Sequence, residues 1–195
     1  MAGDGKTRCW GDEDPLARAY HDEEWGVPVH DDRVLYEFIL LEGVQAGLSW
    51  STVLKRRENY RMAFDGFDPA KIAEYNEARI DELVQDASII RNRRKIESHV
   101  NNAKAFLRVQ DEHGSFDEFI WAYVDHSPVM NEYAVWGQVP SKTELSARIA
   151  RDLKGLGFSF VGPTIVYAYM QSVGMVNDHL TGCFRWREIK ERYGG

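Results

Sequence analysis

Cysteine is nearly absent from this 195-residue chain, with two residues, Cys9 and Cys183, standing near opposite ends. Two thiols cannot build a disulfide framework, and they fit a reduced compartment. Long apolar runs are missing as well: no window approaches the roughly 20 apolar residues of a membrane span. The opening Met-Ala-Gly-Asp-Gly-Lys-Thr-Arg carries no apolar signal segment. The expectation is a cytoplasmic protein that does not enter a membrane. Positive charge is scarce, 24 Lys and Arg against 31 Asp and Glu for a formal net charge of −7. Nonspecific nucleic-acid affinity comes mainly from cations neutralising phosphates, so any nucleic-acid surface here must be local. Strict apolar–polar alternation, hairpin dipeptides, internal repeats and low-complexity linkers are also lacking, which leaves one mostly α-helical domain over residues 1–195.

What is present is helical spacing, and with 44% hydrophobic residues the chain can bury one core. Asp31 or Asp32 caps a helix whose stripe is Leu35, Phe38, Ile39 and Glu42, so a carboxylate sits on an apolar face. The pattern predicts a second helix from about Ala46 through Tyr60, with Trp50, Val53 and Leu54 on one side. Phe67-Asp68-Pro69 marks a further helix start. Ile96, Val100, Ala103 and Leu107 recur at helical intervals after the basic cluster Arg91 to Lys95, the densest positive charge in the chain, whose plain reading is a solvated helix start. Ser141-Lys142-Thr143-Glu144 reads as a capping box opening a helix through Leu145, Ile149, Leu153 and Leu156. Gly155 and Gly157 end that helix, and Pro163 starts another that stops at Gly174.

Three constellations carry chemistry. Cys9 and His21 near the start, with His179 and Cys183 near the end, make a donor set for tetrahedral zinc. On spacing alone, a buried cysteine pair, ordinary histidines or a Cys9–Cys183 disulfide are alternatives. Four protein ligands would leave no position for water, so such an ion would be structural and would tie the ends together. Trp10, Tyr20, Trp25 and Trp50 lie near these ligands or follow Glu42; most such aromatics are core, but an aromatic box with one acid suits a flat cation. The alternative for Glu42 is a buried acid that caps a helix or pairs with an arginine. Finally, the turn from Leu156 to Thr164, with Gly157 and Gly162, has the form of a helix-hairpin-helix connection in which backbone N–H groups approach a phosphate, although a Gly-Pro turn between helices is common.

Taken together, Asp14-Pro15-Leu16, Tyr20-His21-Asp22-Glu23-Glu24-Trp25-Gly26-Val27-Pro28 and Leu41-Glu42-Gly43-Val44-Gln45-Ala46-Gly47-Leu48-Ser49-Trp50 resemble the 3-methyladenine DNA glycosylase I family. Phe158-Ser159-Phe160-Val161-Gly162-Pro163-Thr164 and Gly174-Met175-Val176-Asn177-Asp178-His179-Leu180 follow in that family's order, and the match runs from about Cys9 to Cys183. The resemblance implies an all-α helix-hairpin-helix glycosylase domain with its core at about 9–185. It implies one structural zinc ion on Cys9, His21, His179 and Cys183. It further implies an enzyme that flips 3-methyladenine out of double-stranded alkylated DNA and hydrolyses its N-glycosidic bond, leaving an abasic site; a monomer is the default expectation for a chain of this size. Glu42 would read the polar edge of the base, Tyr20 and Trp50 would line or stack on it, and Trp10 would be a further wall. Gly157, Gly162 and Thr164 would meet the DNA backbone.

Two departures stand out. The family usually has an aromatic where this chain has Ala17, which predicts a wider pocket, and the step from Cys9 to the next tryptophan is one residue short, which predicts a displaced Trp10. Asp178 falls about where related glycosylases carry a catalytic aspartate, but it adjoins His179, so an orienting or capping role is expected instead. No lysine is placed for a Schiff base, so strand cleavage is not expected.

Overall fold

Ten consecutive residues of helix α2 (Asp32–Gln45), from Leu35 through Val44, are buried, and a helix buried on all sides must sit at the centre of its fold. The computed structural model describes residues 5–194. Asp31 caps α2, its carboxylate accepting from Val34 N at 3.0 Å. Ahead of it, α1 (Pro15–Glu23) is capped by Asp14 and carries Tyr20 and His21 on its buried face.

The predicted helix from Ala46 to Tyr60 is two helices, α3 (Trp50–Leu54) and α4 (Arg57–Ala63). Gly47 takes a positive φ of 81° and Ser49 starts a new cap, so the chain turns before Trp50. Asp68 caps α5 (Pro69–Ala73) as expected, and α6 (Glu77–Gln85) follows. The basic cluster does not simply face solvent. Lys95 is buried, and its Nζ donates to the carbonyls of Val44 and Ala46 at 2.7 Å each, closing the C-terminal end of α2. It does so from the first turn of α7 (Arg93–His113), the longest helix, which packs along α2. Arg93 pairs with Glu77, Asp81 and Glu97.

After α8 (Phe116–Trp121), α9 (Glu144–Gly155) and α10 (Pro163–Ser172) form the hairpin anticipated from the glycines. The cap of α9 is Thr143 with Ser146, a capping box two residues later than the one read at Ser141. Helix α10 ends at Ser172, two residues before Gly174. Helix α7 clamps the hairpin turn: Asn101 donates to Gly157 O at 2.6 Å, while Asn102 donates to Ser159 O and accepts from Ser159 N. Gly174 has a φ of +71°, and a Cβ there would lie 2.3 Å from the backbone of Val27, so only glycine permits this crossing.

The strands are two-residue pieces, β1 (Val129–Met130) parallel to β2 (Val176–Asn177). Helix α11 (Phe184–Tyr193) closes the chain, with Phe184 N donating to Thr7 O so that both ends meet. No helix among the described residues is long and apolar enough to cross a membrane.

Candidate active site and metal centre

Two sites share a wall. The first is the cluster of Cys9, His21, His179 and Cys183, whose ligand atoms all lie within 4.8 Å of one another. Each sulfur is 3.3–3.6 Å from a nitrogen of both imidazoles. A tetrahedral ion at ordinary zinc–sulfur and zinc–nitrogen bond lengths has a sulfur-to-nitrogen edge of about 3.6 Å, so the spacing fits. The far nitrogens are already committed. His179 Nε2 donates to Trp25 O at 2.9 Å, and His21 Nδ1 faces Asp22 Oδ1 at 2.8 Å. Arg8 in turn holds that carboxylate at 2.7–3.0 Å. A carbonyl and a carboxylate accept, so both tautomers turn a bare lone pair toward the cluster, as metal ligands require.

The second is a pocket of about 370 Å³ between α1, α2, α3 and α10. Five aromatic rings line it, Trp10, Tyr20, Trp25, Trp50 and Trp136. Tyr20 and Trp50 are 5.3 Å apart between centroids, and Trp10 stands edge-on to Trp25 at 5.5 Å. Its polar lining comes from Glu42 and Gln45, one turn apart on α2, and from Gln171 and Ser172 at the end of α10. Trp10 and Trp25 also stack edge-on against the cluster imidazoles His21 and His179, at 5.1 and 4.6 Å. Trp136 donates its indole N–H to Cys9 O at 2.9 Å.

Glu42 is 2% exposed, and its Oε1 accepts from Ser172 Oγ at 2.6 Å while Oε2 has no partner. Burial pushes its carboxyl up to about 8, the Ser172 bond only partly opposing. The arginine pairing open to it from sequence belongs to another acid on the same helix. Glu37 takes Arg57 at 2.6 Å and Arg61 at 3.0 Å. Seven buried side-chain polar atoms among the described residues lack a hydrogen bond, and three of them, Glu42 Oε2, Tyr20 Oη and Trp50 Nε1, belong to this one pocket. Native cores leave few such groups unsatisfied, so their concentration around one pocket sets it apart from the rest of the core.

The structure therefore brings together Glu42, Tyr20, Trp50 and Trp10. Trp10 is not displaced from the pocket despite its short spacing from Cys9; Ala17 lines a separate outer cavity of about 530 Å³ that shares Trp10 and Trp50. Gly157, Gly162 and Thr164 stand apart at the hairpin, where Gly157 and Thr164 are exposed. Asp178 is buried beneath the pocket floor, accepting from Asn131, Tyr167 and Gln171, and does not line the pocket. Trp136, Gln45, Gln171 and Ser172 were not foreseen. Ala168, Gln171 and Ser172 share one face at helical spacing, and the two polar side chains at the end of an otherwise apolar helix are the available signal.

A family model described as methyladenine glycosylase matches residues 10–186. The DNA-3-methyladenine glycosylase 1 of Escherichia coli (strain K12) is 49% identical over 177 residues, 90% of this chain and 95% of the relative. A crystal structure of a 3-methyladenine DNA glycosylase I superposes with a TM-score of 0.89 at 50% identity, covering 91% of this chain and 98% of the other. The Staphylococcus aureus 3-methyladenine DNA glycosylase I, solved to explain its recognition of 3-methyladenine, superposes at 0.88 with 35% identity, covering 90% and 94%. Helical architecture, aromatic pocket, matched family and these relatives converge, and the chain belongs to the methyladenine glycosylase family.

Proposed function

We propose that this protein excises 3-methyladenine from double-stranded alkylated DNA by hydrolysing the N-glycosidic bond, and that one observation carries the reading: an unpaired carboxyl, Glu42, buried inside a cage of five aromatic rings. Methylation at N3 makes adenine cationic and weakens its bond to the sugar, so strong acid catalysis is unnecessary. The protein must extrude the nucleotide, at a cost of a few kcal/mol that is smallest for a damaged pair, and hold the cation. The aromatic faces attract positive charge by about 0.5–2 kcal/mol.

Glu42 adds the discrimination. With its carboxyl near 8, it carries its proton at neutral pH in the free protein. A fixed positive charge beside it favours the ionised form, so binding of the lesion releases the Glu42 proton to solvent water, and the carboxylate then accepts from the exocyclic amine. Neutral adenine brings no charge to drive that ionisation. Selectivity thus lies in binding the cationic lesion rather than neutral adenine; as the bond breaks the base leaves neutral, its positive charge passes to the sugar, and water adds there with loss of a proton to solvent.

Gly157, Gly162 and Thr164 meet the DNA backbone in this reading. Gly162 brings no capping side chain to α10, so the first-turn N–H groups and the positive end of the helix dipole are open to phosphate. From Thr164 to Ser172, α10 rises about 12 Å, which puts the phosphate contact and the base pocket at the two ends of one helix. Cys9, His21, His179 and Cys183 hold one structural zinc ion, which supplies a fixed tie between the chain ends. The protein acts as a monomer.

The test is release of free base from methylated duplex DNA by the folded, metal-loaded protein. Free 3-methyladenine and abasic sites without strand breaks are expected. A protein that binds the DNA and releases nothing would overturn the reading and leave a binding module without turnover.

A further inference from the structure

We propose that Gln171 is a specificity-determining residue that presents a hydrogen-bond acceptor to the 6-amino edge of the extruded base, held in that orientation by Asp178; the inference rests on the glycosylase reading above. Gln171 occupies the last turn of α10 and lines the pocket beside Ser172, which holds Glu42. Its Nε2 donates to Asp178 Oδ2 at 2.7 Å. Tyr167 Oη donates to the same oxygen at 2.6 Å, and Asn131 Nδ2 to Oδ1 at 2.7 Å. Asp178 is fully buried, and three donors converge on it. A carboxylate accepts only, so the nitrogen end of the Gln171 amide is turned away from the pocket. The oxygen end, Oε1, receives no hydrogen bond from the described residues and is not sealed in the core.

A free glutamine serves donors and acceptors alike by turning over, and so discriminates little between a 6-amino and a 6-oxo purine. Turning over here would set Oε1 against the Asp178 carboxylate, two acceptors face to face. The lock therefore makes Gln171 a one-way group. A 6-amino group carries two hydrogens, and among the polar groups lining the pocket Glu42 keeps a free carboxyl oxygen, Oε2, while Gln171, tied through Nε2 to Asp178, keeps a free amide oxygen, Oε1. A 6-oxo purine brings an oxygen toward both, and a site that leaves buried polar groups unpaired rejects its guest strongly.

The test uses methylated duplex DNA holding both 3-methyladenine and 3-methylguanine, with kcat/KM for release of each base measured in parallel. The variants are Gln171→Met and Gln171→Leu, which keep the side-chain bulk without a polar end, and Asp178→Asn, which frees the amide to turn over. Tm and metal content are recorded for all. Either Gln171 variant is expected to lower 3-methyladenine release about tenfold while 3-methylguanine release holds or rises. Folded Asp178→Asn is expected to narrow the preference in the same direction. A Gln171 variant with normal Tm that slows both bases equally, or neither, overturns the proposal. A wild-type protein that releases neither base overturns the glycosylase reading itself, and this inference with it.

Discussion

Replacing Glu42 by glutamine should stabilise the protein while disabling it, and the stabilisation should depend on pH in a defined direction. Burial raises the Glu42 carboxyl from 4.5 to about 8. Between those values the folded state keeps a proton that the unfolded state has lost, so the contribution of Glu42 to stability is fully present below 4.5 and disappears as pH rises through 8. At about 1.4 kcal/mol per pH unit, the loss approaches about 5 kcal/mol above pH 8, a ceiling because water entering the pocket screens part of it. Glutamine mimics the protonated acid at every pH: its carbonyl still accepts from Ser172 Oγ, and its amide stands where the hydroxyl was. Urea unfolding of both proteins at pH 5, 7 and 9 should show curves nearly together at pH 5 and the variant well ahead at pH 9. Activity should move oppositely, since a hydrogen bond to a charged group contributes about 1.5–3 kcal/mol, or roughly 10- to 150-fold in kcat/KM. A stability difference that does not change with pH would refute the assignment of the raised carboxyl to Glu42. Full activity in the variant would refute the need for a carboxylate.

Other perturbations follow the same geometry. The bond from Ser172 holds the Glu42 carboxyl down, so Ser172→Ala should shift the rise of kcat/KM with pH to higher pH; an unmoved midpoint in the pH–rate profile would count against the coupling. Elemental analysis should find one zinc per chain, and Cys183→Ser should lose it with a Tm fall of at least about 10 °C, as expected when binding energy is folding energy; wild-type stability indifferent to metal removal would count against a structural ion. A Cβ at Gly162 meets nothing within 4 Å, so Gly162→Asp should cap α10 and hold or raise stability by a few tenths of a kcal/mol while its charge weakens duplex binding several-fold. Unchanged DNA affinity in a gel-shift titration would separate this turn from the phosphate backbone.

Part of the site was legible because a helical period carries an acid on its apolar face. The stripe on α2 places Glu42 among apolar residues, and the order of the amino acids alone makes an acid there anomalous. Residue type alone offered Cys9, His21, His179 and Cys183 as one tetrahedral donor set beside other readings, and the fold brings the four together however far apart they stand in sequence. Pattern reading failed where direction within a short segment decides the outcome. Five polar or basic residues from Arg91 to Lys95 look equally solvated, but only Lys95 turns inward to the carbonyls of α2. Apolar spacing runs on past Ala46, while the backbone turns at Gly47. Trp136 comes from an irregular stretch with no period to follow, and its place is set by its indole bond to Cys9 O.

Glu37 and Glu42 show how one helix holds a buried acid in two ways. Both acids are buried on α2, less than two turns apart. Glu37 is neutralised by Arg57 and Arg61 inside the protein's own structure, whereas Glu42 has a single hydroxyl and no cation. In the glycosylase reading, a permanent partner for Glu42 would stabilise the fold but fill the position proposed for the cationic base. Leaving it unpaired costs stability, and the cost is contained because the surrounding walls are anchored elsewhere. Trp10 and Trp25 rest edge-on against the cluster imidazoles, and Trp136 hangs from the backbone of Cys9. The Cys/His cluster and the pocket are thus mechanically joined, and an ion held by Cys9, His21, His179 and Cys183 would stiffen the aromatic walls without itself facing the pocket.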